Sequence, residues 1–187
     1  MSGAGIGHNR GPSMEPGHAW RKVCWSRARK ALLGPALPVE VIRSRVRRAD
    51  ELGLDYRSYA SIRATTGHDV VAFLFSSNAL RMGPARAADP ARAAKIARLL
   101  DCDRGGLAIR PLSAADLLAA VPGLDHAAAA PRFFAAFAEE RDAIRQAIGR
   151  IPRDRVVLVG ETDAEAAWMR AGRLAGFIAG ERYFAGA

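Results

Sequence analysis

Val70-Val71-Ala72-Phe73-Leu74-Phe75, with Gly67 before it and Ser76-Ser77-Asn78 after it, is the stretch that decides the fold. It is an unbroken apolar run rich in β-branched and aromatic residues, the composition of a strand buried on both faces. Val156-Val157-Leu158-Val159, preceded by Pro152 and closed by Gly160, has the same character. A shorter run, Leu107 to Ile109, is a third candidate strand. Around these runs the apolar spacing is helical: Pro90 to Leu100, 113–121, 131–149 and 163–175, with a break at Pro122-Gly123 and an alanine run. Strands alternating with helices predict an α/β fold, a small and mainly parallel sheet of about three strands covered by helices.

Working back from Gly67, the pattern is helical throughout. Residues 18–33 place Trp20, Val23, Cys24, Ala28, Ala31 and Leu32 at helical spacing, and Gly34-Pro35 ends that segment. Pro38 opens a second helix with Val39, Ile42, Val46, Ala49 and Leu52 on its apolar stripe, and Gly53 stops it. Asp55 is a helix cap for 56–66. The organisation predicted is a leader at 1–17, a basic three-helix segment at 18–66 and an α/β domain at 67–187. Whether the two larger parts have separate cores stays open at this level.

Half of the 187 residues are hydrophobic and only 7% are aromatic, which suits a packed core built from closely approaching helices. The net charge is +9 and unevenly spread. Residues 1–50 hold ten Arg or Lys against three acids, while 51–187 hold eighteen against sixteen. A basic end on a near-neutral body points to a polyanion, either nucleic acid or an anionic membrane surface. Arginine outnumbers lysine 25 to 3, the usage expected when a GC-rich genome writes its soluble charge as arginine. No apolar run reaches membrane-span length, no secretory signal is read at the start, and Cys24 and Cys102 read as reduced thiols. A cytoplasmic location is expected.

Residues 45–66 have the outline of a helix-turn-helix: Ala49 where helices approach, Gly53 in the turn, and Leu52, Leu54, Tyr59 and Ile62 inside. The second helix would present Arg57, Ser58, Ser61, Arg63 and Thr65 to phosphates and base edges. Arg43, Arg47 and Arg48, with Arg21, Lys22, Arg29 and Lys30, would neutralise backbone phosphates. An ordinary helical hairpin has the same pattern. Residues 18–33, basic and carrying two tryptophans, also read as a membrane-surface or partner helix. The aromatic end, Phe177 with Tyr183 and Phe184, reads either as a docking tail or as an edge packed on the protein's own core.

Two stretches resemble known proteins. Gly5 to Pro12, GIGHNRGP, resembles the GIGHNxGP leader of small alphaproteobacterial proteins, which implies lineage and no activity. Residues 149–178 resemble the closing segment of haloacid-dehalogenase-type hydrolases, where a strand ends in acids, followed by an Ala-rich helix and Ala-Gly. The resemblance gives the acidic places to Glu161 and Asp163 and the later pair to Ala171-Gly172. It likens the strand ending in Ser76, Ser77 and Asn78 to the family's phosphate-binding Ser/Thr strand. It implies phosphate handling with Mg²⁺, yet the Asp-x-Asp nucleophile expected on an earlier strand is absent between residues 18 and 70. Asp101-Cys102-Asp103 follows a helix and reads as a solvated turn beside Arg104 and Gly105-Gly106.

The expectation is a non-catalytic, nucleic-acid-associated or regulatory binding protein without a cofactor, whose partner is DNA or RNA, or a protein. One alternative is a divergent phosphate-handling enzyme using Ser76, Ser77, Asn78, Glu161 and Asp163, with Mg²⁺. The other is a protein–protein adaptor.

Overall fold

A computed structural model describes residues 18–33, 37–83 and 85–185; of these, nothing is described of the side chains of 18, 19, 21 and 29–33. The leader, with its GIGHNRGP stretch, lies outside the described residues. The chain divides into two compact units, residues 1–42 and 43–187. Helix α1, His18–Leu33, belongs to the first. Its Trp20 and Trp25 are exposed. Helix α2, Val39–Glu51, begins in the first unit and continues into the second.

The second unit is organised around β1, Ala72–Ser76, every residue of which is buried. Beside it runs β4, Val156–Gly160, equally buried, in parallel register from Ala72 opposite Val156. On the other side runs β2, Asp103–Ala108, paired from Ala72 opposite Asp103. Two short outer strands, β3 (His126–Ala129) and β5 (Gly176–Ala179), complete the sheet in the order β3-β2-β1-β4-β5, all parallel. The α/β class is as predicted, but the strands number five.

The two extra strands have a common physical origin. His126-Ala127-Ala128-Ala129 has little strand propensity of its own, and Gly176-Phe177-Ile178-Ala179 offers only two β-formers between a glycine and an alanine. They become strands because β2 and β4 each have an open side that must be paired. Strand β2 also starts four residues before its apolar run, through Gly105 and Gly106. A β-carbon at Gly105 would lie 2.7 Å from both Leu74 and the His126 ring, so only glycine allows that approach. His126 lies on β3, with Nε2 2.7 Å from the Asp103 carboxylate.

Alternation along the strands feeds two cores. Phe73, Phe75, Val157 and Val159 face one layer of helices. That layer includes Ala49 of α2 and Leu52 just after it, Tyr59 of α3 (Tyr56–Thr66), Ile96 of α4 (Pro90–Ala97) and Leu117 of α5 (Ala114–Ala120). Ala72, Leu74, Val156 and Leu158 face the other. There Ile144 and Ile148 of α6 (Phe137–Ile148) pack with Trp168 of α7 (Asp163–Gly172). The basic helical segment from residue 43 onward therefore shares a core with the sheet. The closing aromatics do the same: Tyr183 of the last helix, α8 (Gly180–Tyr183), and the adjoining Phe184 are buried against Phe75, and the Tyr183 hydroxyl donates to the Leu52 carbonyl at 3.0 Å. Among the described residues no helix is long and apolar enough to cross a membrane.

Candidate polyanion groove and the strand-end residues

Helix α3 is placed by its ends. Asp55 caps it, its carboxylate accepting from the Ser58 N–H at 2.8 Å, and Gly67 closes it in the left-handed conformation at φ 75°. The Ser58 hydroxyl and N–H hold the Asp55 carboxyl below its ordinary value of 3.8. The cap is therefore fully present above that value and is lost as pH falls through the lowered folded one. Asp55→Ala is expected to cost about 1 kcal/mol of unfolding free energy at neutral pH. Urea melts at a series of pH values should show the gap to the parent shrinking on acidification, and a gap unchanged at every pH would sink the assignment.

With α3 so fixed, Arg57 and Ser61, one turn apart, line a cavity of about 470 Å³ with Ser58 and with Arg182 of α8. Ile62, Phe177 and Ile178 supply its apolar part. Arg182 donates to the Ser58 hydroxyl at 2.7 Å and lies 3.6 Å from Asp55. A second cavity of about 410 Å³ shares Ser58, Ile178 and Arg182 and includes Lys95, whose ammonium donates to the Tyr183 carbonyl. Together they form a groove beside the edge strand β5 in which Arg57, Arg182 and Lys95 outnumber one acid, Asp55 of the second cavity. Arg57 makes no side-chain hydrogen bond or ion pair among the described residues, so its guanidinium is available. Arg182 is not among the cations that local sequence singles out, because 124 residues separate it from its partner Ser58.

The other predicted cations fare differently. Arg48 points inward, donating to Asp69 and Glu51 and to the carbonyls of Val70, Leu100 and Asp101. Arg63 is tied to Tyr59 and Asp69. Arg47 is exposed and without a partner among the described residues, whereas Arg43 already has one. Lys22 is exposed in the first unit; the side chains of Arg21, Arg29 and Lys30 lie outside the described residues.

The strand-end set meets the carboxyl edge of the sheet. Strand β1 is central and, among the described residues, the first in chain order, so no described strand precedes it to carry an Asp-x-Asp motif. Ser76 accepts from the Ala79 N–H at 3.0 Å and Ser77 from the Ile109 N–H at 3.1 Å; both are buried. Glu161 faces the buried Arg92 guanidinium at 4.0 Å. Burial raises the Glu161 carboxyl above its usual range, with Arg92 opposing and Glu181 adding to the rise. Asp163 is exposed in the first turn of α7, and the buried acid of that turn is Glu165, which accepts from Glu161 N–H, Thr162 N–H and the Thr162 hydroxyl. Thr162-x-x-Glu165 is a capping box, a spacing legible in the sequence.

These residues do not fit a divalent cation. The serine oxygens already accept N–H groups, and a guanidinium faces the nearest acid. No group of three or more His, Cys, Asp or Glu is assembled among the described residues. Burial pushes the Cys102 thiol up to about 11, away from the thiolate form. Comparison with protein-family models, curated proteins and solved structures finds no match to this chain.

Proposed function

We propose that this chain is a non-catalytic, cytoplasmic binding protein for phosphate-rich polyanions, nucleic acid foremost, acting in regulation. The observation that carries it is the groove beside β5, lined by Arg57, Arg182 and two serine hydroxyls, with no carboxylate in its 470 Å³ portion. Guanidinium and hydroxyl groups over an apolar floor suit a sugar–phosphate chain with bases lying against Phe177.

The test is binding of mixed-sequence DNA and RNA across a salt series. Affinity is expected to fall linearly with the logarithm of salt concentration. Arg57→Ala with Arg182→Ala should lower the slope by roughly 1.5 to 2, one phosphate contact for each guanidinium, while leaving the melting temperature near that of the parent. No binding at low salt, or affinity indifferent to salt, would overturn the proposal. The phosphate-handling enzyme has less support, since the end of β1 offers hydroxyls and an amide without a carboxylate. Release of phosphate from a generic ester with Mg²⁺, abolished by Glu161→Ala, would displace the binding reading.

A further inference from the structure

We propose a second site, distinct from the groove, at the carboxyl ends of β1 and β2: a pocket for a small organic anion. In an all-parallel sheet the loops leaving the carboxyl edge form the crevice in which ligands collect. Here the loops after β1 and β2 are stapled together, the Ser77 N–H donating to the Leu107 carbonyl at 3.0 Å and the Ile109 N–H to the Ser77 hydroxyl oxygen at 3.1 Å. The pocket they enclose has a volume of about 390 Å³, at the lower end of the range for small-molecule sites.

Its polar groups converge on one charge type. Arg110 and the Asn78 amide line the pocket and have no hydrogen-bond partner of their own among the described residues. Ser77, 1% exposed, accepts from Ile109, which leaves its hydroxyl hydrogen to donate into the space. Arg86 brings a second guanidinium to the lining, anchored by one hydrogen bond to Asp116 at 2.8 Å. No Asp or Glu lines the pocket. Met82, Ile109 and Leu112 form its apolar wall. A ligand that satisfies both halves has an anionic head, carboxylate or phosphate ester, set on Arg110 and Asn78, with a short apolar body on that wall. None of these residues lines the groove, so each site stands or falls alone.

The experiment is a titration of the full chain with phenyl phosphate, benzoate and the neutral benzyl alcohol, followed through the Asn78 side-chain amide resonances. Saturable shifts with one or both anions, and none with the alcohol, are expected. A response to phenyl phosphate alone identifies the head as a phosphate ester, and to benzoate alone as a carboxylate. Arg110 is exposed, so Arg110→Gln should fold as the parent does, and it should weaken binding about tenfold or more. The Arg57→Ala, Arg182→Ala double variant should bind the small anion unchanged even if it loses nucleic acid. Three results would each overturn the site: no anion response at millimolar concentration, equal binding of benzyl alcohol, or unaltered affinity in Arg110→Gln.

Discussion

Trp168→Ala is expected to lower the unfolding free energy by about 3–5 kcal/mol, the largest loss from any single truncation of this core. Trp168 is fully buried among residues of α6, α7 and the sheet face carrying Leu158. Phe133 stacks on it with ring centroids 5.3 Å apart and planes 22° from parallel. Its removal opens a cavity that two helices and a strand cannot close without moving, and close-packed interiors relax only in part. Trp168→Phe provides the comparison. The indole N–H is buried without an acceptor, so phenylalanine removes an unsatisfied donor while keeping most of the ring volume. Its cost should stay below about 1.5 kcal/mol. Thermal melts decide this: a chain of this size shifts by roughly 2–4 °C per kcal/mol. Equal losses for both variants would show that the site is not limited by cavity formation.

Arg48→Met is expected to cost about 2–4 kcal/mol while leaving the salt dependence of nucleic-acid binding unchanged. Methionine keeps an apolar stem but deletes donors that now satisfy Asp69, Glu51 and three carbonyls from two different parts of the chain. Asp69 retains the Tyr59 hydroxyl at 2.8 Å and the more distant Arg63 at 3.7 Å, which limits the damage without abolishing it. The side chain is 17% exposed, so water screens part of the loss. Denaturant melts and salt-titrated binding, run on the same variant, separate the two roles. A stable variant with a reduced salt slope would return Arg48 to the binding surface, where residue type alone had set it.

Arg48 shows why the basic helices were only half legible. Arginine at positions 43, 47, 48, 57 and 63 reads as one class of charge, and helical spacing says only that it lies off the apolar stripe. Which guanidinium turns inward depends on carbonyls and carboxylates supplied by residues 69 to 101. Arg57 and Ser61 stayed on the surface, and their partner Arg182 came from the far end of the chain. In the same way Arg110 and Asn78, unremarkable in sequence, meet only because β1 and β2 are neighbours.

The boundaries of α3, the cap at Asp55, the apolar runs that become β1 and β4 and the α/β class were all present in the sequence, although β1 begins at Ala72, two residues into its run. They rest on local periodicity, capping chemistry and unbroken apolar runs, which act within a few residues of one another. The two outer strands, the central place of β1, the inward turn of Arg48 and the two cationic pockets belong to the tertiary structure alone. Each needs partners far away in the chain: hydrogen-bonding edges for two short outer segments, and carboxylates, carbonyls or cations from other elements. Local sequence carries the propensity of a segment, and only the assembled sheet decides what it pairs with.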